Sequence, residues 1–108
     1  MRDKIYDGLL FAYYGGLLNG HQREILRLYY DCDMSLSEIG DLMGITRQGV
    51  REVIVRSMTK FEKYESKLGL VTKIKSVIGD LDGIIKDMPC EDKNTDRLKR
   101  LLNTIKEI

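Results

Sequence analysis

SLSEIGDLMGITRQGVREVIVR, residues 35–56, is the stretch from which the fold of this chain is read. Ser35 followed three residues later by Glu38 forms a capping box, so a helix is expected to begin at about Leu36. Leu36, Ile39, Leu42 and Met43 fall at helical spacing on one face, while Ser37, Glu38 and Asp41 lie outside it. Gly44 stops this helix, because the position just past a helix end often takes positive φ. Thr46 caps a second helix, with Val50, Val53 and Ile54 as its buried stripe and Ile45 turned into the same core. Gly40 sits where two helices joined by a very short turn approach closely. The pattern predicts a helix-turn-helix unit.

In such units the second helix enters the DNA major groove with its N-terminal residues against base edges. Those positions hold Thr46, Arg47, Gln48 and Arg51, with Glu52, Val55 and Arg56 a turn further on and Lys60 beyond. Arginine matches the two guanine acceptors and glutamine matches adenine, each good pair contributing about 1–3 kcal/mol of discrimination. The helix start also offers free N–H groups to a phosphate. Thr46, Arg47, Gln48, Arg51, Arg56 and Lys60 are therefore the candidate nucleic-acid contacts, the last two as supporting phosphate contacts. The same residues would also suit a solvated start of a helix that merely packs.

At 108 residues the chain is one domain plus an appendage. Its 43% hydrophobic and 32% charged content, with one proline and no tryptophan, suits a helical protein rather than a disordered or fibrous one. The formal net charge of +1 conceals an uneven distribution. Residues 47–75 carry eight basic side chains against three acidic ones, a net of +5, whereas residues 1–45 carry four against seven, a net of −3. Basic charge thus gathers on and after the second helix of the motif. Such asymmetry favours a polyanion, yet the near-neutral total falls short of a dedicated nucleic-acid binder. Cys32 and Cys90 are too few for a zinc site and read as reduced thiols of a cytoplasmic protein. There is no phosphate-cradling glycine loop, no His/Cys/Asp cluster and no pair of carboxylates in an apolar setting, so neither an enzyme nor a cofactor is expected. No membrane span is expected either, the apolar run at 8–18 being too short.

Around the motif, residues 2–14 read as a first helix, with Ile5, Leu9, Leu10, Tyr13 and Tyr14 facing inward and Arg2, Asp3, Lys4 and Asp7 outward, ended by Gly15 and Gly16. Asn19 and Gly20 mark a turn, after which 21–31 buries Ile25, Leu26, Leu28 and Tyr29. Tyr6, Tyr13, Tyr14, Tyr29 and Tyr30 could stack bases, but most of them lie on apolar faces with no basic residue interleaved, which favours packing. The helix from Thr46 meets no stop until Gly69. Ile74, Ile78, Leu81, Ile85 and Met88 then follow the rhythm of a coiled-coil seam. Pro89 and a polar turn at 92–95 precede a last helix marked by Leu98, Leu101, Leu102, Ile105 and Ile108. The seam can close on this last helix or on a second subunit, and a homodimer is expected. The expected division is a helix-turn-helix domain at 1–69 and a C-terminal hairpin or coiled-coil extension at 70–108.

The segments LYYDCDMSLSEIGDLMGITRQGVRE (28–52) and YESKLGL (64–70) resemble the YlxM-like family of small bacterial proteins, itself similar to region four of sigma factors. Gly40 stands where related proteins usually carry alanine. The resemblance implies an all-α fold, a helix-turn-helix core without a wing, and a regulatory role in the signal recognition particle pathway. Its implied partners are the particle RNA and the particle GTPase or its receptor. The alternative is a sequence-specific DNA-binding transcriptional regulator.

Overall fold

Asp3, Asn19, Ser35, Thr46 and Asp92 each stand one residue before a helix and lend a side-chain oxygen to an early N–H. Their oxygens accept from Ile5, Gln22, Glu38, Gly49 and Asn94 at 2.9–3.1 Å. Each satisfies a donor that the helix itself leaves orphaned. The computed structural model describes residues 3–89 and 92–107. Among them it is all-helical: α1 (Lys4–Tyr14), α2 (Gly20–Tyr30), α3 (Leu36–Met43), α4 (Arg47–Leu68), α5 (Leu70–Asp87) and α6 (Lys93–Lys106), with a 3-10 turn at Gly15–Leu17. The chain forms two compact units, Met1–Leu68 and Gly69–Ile108.

In the first unit α4 is the spine, and α1, α2 and α3 all pack on it. Leu10, Phe11, Tyr14, Ile25, Leu26, Ile39, Val50, Met58 and Phe61 form the core. The Tyr14 ring stacks on Phe61 at 6.2 Å and meets Tyr64 at 6.0 Å, while its hydroxyl donates to Glu65 at 2.7 Å. These contacts hold α1 against the second half of α4. The expected face of α1 is rotated: Ile5 is 80% exposed, whereas Asp7, placed outside by its charge, is buried at 4% and Phe11 lies inside. Residues 7, 10, 11 and 14 share one helical stripe, and chain geometry outweighs the polarity of a single carboxylate. Leu42 likewise departs from its expected role and is 63% exposed, because the eight-residue α3 inserts only Ile39 and Gly40 fully. Tyr29 and Val53 are half-buried rather than buried. Lys4 lies 4.3 Å over the Tyr29 ring and bonds Asp33 at 2.8 Å.

Gly69, at φ 61°, breaks α4 from α5 in a left-handed conformation that glycine adopts at little cost. In the second unit α5 packs on α6 as a hairpin. Val71, Ile74, Thr95 and Leu102 are buried, and Ile78, Leu81, Ile85, Leu98 and Ile105 half-buried. The polar turn expected at 92–95 is shorter than expected: Asp92 caps α6, and Thr95 already lies in its first turn, donating to the Pro89 carbonyl at 3.2 Å. Leu101, expected on the inner face of the last helix, is 52% exposed. Cys90 and Ile108 lie outside the described residues.

A Cβ added at Gly40 would sit 2.7 Å from the Ile45 carbonyl oxygen, a backbone atom that cannot swing aside. A methyl group at position 40 therefore does not fit this approach of α3 and α4 without moving one of them. Gly40→Ala should destabilise the first unit by about 1–3 kcal/mol in urea denaturation. Gly79→Ala, on an exposed part of α5 with nothing within 4 Å, should stabilise the second unit by about 0.5–1 kcal/mol. Equal effects at the two positions would contradict the close-approach reading.

Candidate nucleic-acid interface

The turn between α3 and α4 is built almost wholly from backbone. The Ser35 hydroxyl accepts from Glu38 N–H while the Glu38 carboxylate accepts from Ser35 N–H, both at 3.1 Å, completing the capping box. Gly44 closes α3 at φ 73°, and Ile45 N–H donates to the Gly40 carbonyl at 3.0 Å. Thr46 caps α4 through Gly49 N–H at 2.9 Å, and a Cβ at Gly49 would stand 3.1 Å from the Thr46 hydroxyl, a tight contact. Val50 and Ile54 then lock the inner side of α4 into the core.

That anchoring turns Arg47, Gln48 and Arg51 outward. All three are exposed, and among the described residues neither arginine forms an ion pair. At about 100° per residue, Arg47, Gln48, Arg51 and Val55 share a sector of about 100°. Arg51 and Val55 also edge a cavity of about 220 Å³ floored by Leu36, Ile54 and Met58, with Lys4 and Tyr29 on its other side. Arg56 and Lys60 are exposed too, but they lie about 135° further round the helix. They line a separate groove with Lys63, Tyr64 and Lys67. The six candidate contacts are thus gathered as two sets. Four belong to the start of α4 and two to a strip along its other side. Lys63, Tyr64 and Lys67 were not among the candidates, although their spacing from Lys60 placed them beside it.

Among the described residues no group of His, Cys, Asp or Glu is arranged to hold a metal ion, and no helix is long and apolar enough to cross a membrane. Cys32 is an exposed free thiol. His21 is exposed in the first turn of α2.

This is the geometry of a helix-turn-helix protein. Residues 1–105 match the family model of helix-turn-helix proteins described as YlxM / p13 like, UPF0122. A UPF0122 protein of Thermoanaerobacter sp. (strain X514) is 39% identical over 106 residues, covering 98% of this chain and 90% of that one. One from Clostridium acetobutylicum is 39% identical over 104 residues, 91% and 89% of the two chains, and one from Symbiobacterium thermophilum 45% over 73 residues, 68% of each. The chain belongs to the YlxM / p13-like helix-turn-helix family.

The capping box carries a pH dependence. Ser35 N–H, and then its hydroxyl, holds the Glu38 carboxyl below its ordinary value of 4.5. The hydrogen bond and charge of Lys4 do the same for Asp33. A depressed carboxyl contributes stability above its unfolded pKa and loses it as pH falls through the lower folded value. Glu38→Gln keeps an acceptor but cannot titrate. Its melting temperature should therefore drop less than that of the wild type between about pH 6 and about pH 3; equal drops would show that the box contributes nothing to acid sensitivity.

Proposed function

We propose that this chain is a non-enzymatic regulatory protein that binds nucleic acid through the start of α4, with Thr46, Arg47, Gln48 and Arg51 as the contacts and Arg56 and Lys60 reaching flanking phosphates. The observation that carries the reading is the outward presentation of Arg47, Gln48 and Arg51, exposed, with neither arginine ion-paired among the described residues, on a helix start fixed by the turn beneath it. Arginine and glutamine there offer bidentate donors to guanine and adenine edges. Membership of a helix-turn-helix family supports a nucleic-acid partner.

The family resemblance brings in the signal recognition particle pathway, where a ribonucleoprotein offers both RNA phosphates and a GTPase surface. We infer a cytoplasmic protein acting there, with particle RNA, the GTPase or its receptor as the partner to test first. The alternative is a transcriptional regulator reading one DNA half-site per subunit. A homodimer is supported by Val77, Ile84 and Leu101, large apolar side chains left exposed on α5 and α6. Reading helices one duplex turn apart, about 34–36 Å, would favour DNA.

Titration of the purified protein against duplex DNA, particle RNA and the particle GTPase at physiological salt separates these readings. Arg47→Ala/Arg51→Ala should weaken binding to the true partner by about tenfold or more. A double variant that binds every partner as tightly as the wild type would refute the assignment of this face. Selective duplex binding with no response to RNA or GTPase would refute the targeting-pathway reading and leave the regulator.

A further inference from the structure

α4 is 22 residues long, more than a reading helix needs, and its second half carries a surface of different composition. Arg56, Lys60, Lys63 and Lys67 are spaced 4, 3 and 4, which confines them to a strip about 60° wide and about 16 Å long. All four are exposed, and among the described residues none forms an ion pair. Glu62 and Glu65 lie on other sides of the helix, and Glu52 bounds the strip at its N-terminal end. With Thr59 the four line a groove of about 420 Å³, and the remaining wall is the half-buried ring of Tyr64. That ring is held from behind by Tyr14, 6.0 Å away, so it is presented to the groove in a fixed position.

The geometry points to a second nucleic-acid site on this strip, specific for a single-stranded segment whose phosphates follow Arg56, Lys60, Lys63 and Lys67 while one base stacks on Tyr64. A row of cations alone would suit any polyanion. The aromatic wall decides between them, because a duplex hides the faces of its bases and only an unpaired strand can lay one on a ring. The large apolar side chain exposed beside the strip is the single Leu68, not the broad apolar face with which a helix enters a lipid surface. Aromatic and basic side chains are interleaved along this strip. This site lies about 135° round the same helix from Arg47, Gln48 and Arg51; it shares Arg56 and Lys60 with the proposed contacts but none of the three residues that carry that reading.

Fluorescence anisotropy with labelled twelve-nucleotide uridine and thymidine homopolymers, against a duplex of equal length, tests the assignment. Lys63→Ala/Lys67→Ala should weaken single-strand binding about tenfold and reduce the slope of log affinity against log salt by about 1.4. Tyr64→Leu should weaken it at least fivefold while Tyr64→Phe stays within twofold of the wild type, and circular dichroism checks that both variants are folded. Arg47→Ala/Arg51→Ala should leave single-strand binding within threefold. The RNA and DNA strands separate a site needing the 2′-hydroxyl from one reading backbone and base alone, and either preference fits the site. Single-strand affinity indifferent to the lysine pair overturns the proposal. So does equal loss in Tyr64→Phe and a folded Tyr64→Leu, or stronger, Tyr64-independent binding to phosphatidylglycerol vesicles.

Discussion

The contact on which the first unit depends is the approach of Gly40 to the Ile45 carbonyl, backbone against backbone with no room for a methyl group. It fixes how α4 leaves the turn after α3. Gly44 supplies the reversal, and Thr46 starts the next helix by capping it through Gly49 N–H. Because the turn is set by glycines and backbone hydrogen bonds, Arg47, Gln48 and Arg51 play no part in holding it. Their chemistry is free to serve a ligand, whereas a methyl group added at Gly40 would disturb all of them at once.

The length of α4 follows from a second set of contacts. Tyr14 lies against Phe61 and Tyr64 and hydrogen-bonds Glu65, so α1 supports the helix well beyond the motif. A helix of 22 residues, about six turns, exposes more than one sector to solvent. Here the sectors differ in character: a short mixed face of arginine, glutamine and valine at the start, and a lysine-rich strip with a tyrosine wall further along. A modest overall charge is compatible with both, since residues 47–75 carry a net of +5 while residues 1–45 carry a net of −3.

Much of this was legible in residues 35–69. Ser35, Glu38, Gly44, Thr46 and Gly69 are local signals whose effect does not depend on distant partners, and each acts where its chemistry predicts. The exposed Ile5 and Leu42 and the buried Asp7 were not legible, because the phase of a helix is set by what packs on it and not by the polarity of one residue. The clash at Gly40 also needed coordinates, since a sequence shows a small residue but not the distance to the atom it faces. The separation of Arg51 from Arg56 was present in the numbering: five residues are about 140° beyond a full turn. Counting basic residues along the chain concealed it.

The most direct test is the orientation of α3 against α4, measured by residual dipolar couplings in the wild type and in Gly40→Ala, alongside affinity for the cognate nucleic acid. The account predicts a changed interhelical angle and weakened binding, although Arg47, Gln48 and Arg51 are untouched. An unchanged angle with a methyl group at position 40, or a changed angle with full affinity, would contradict it.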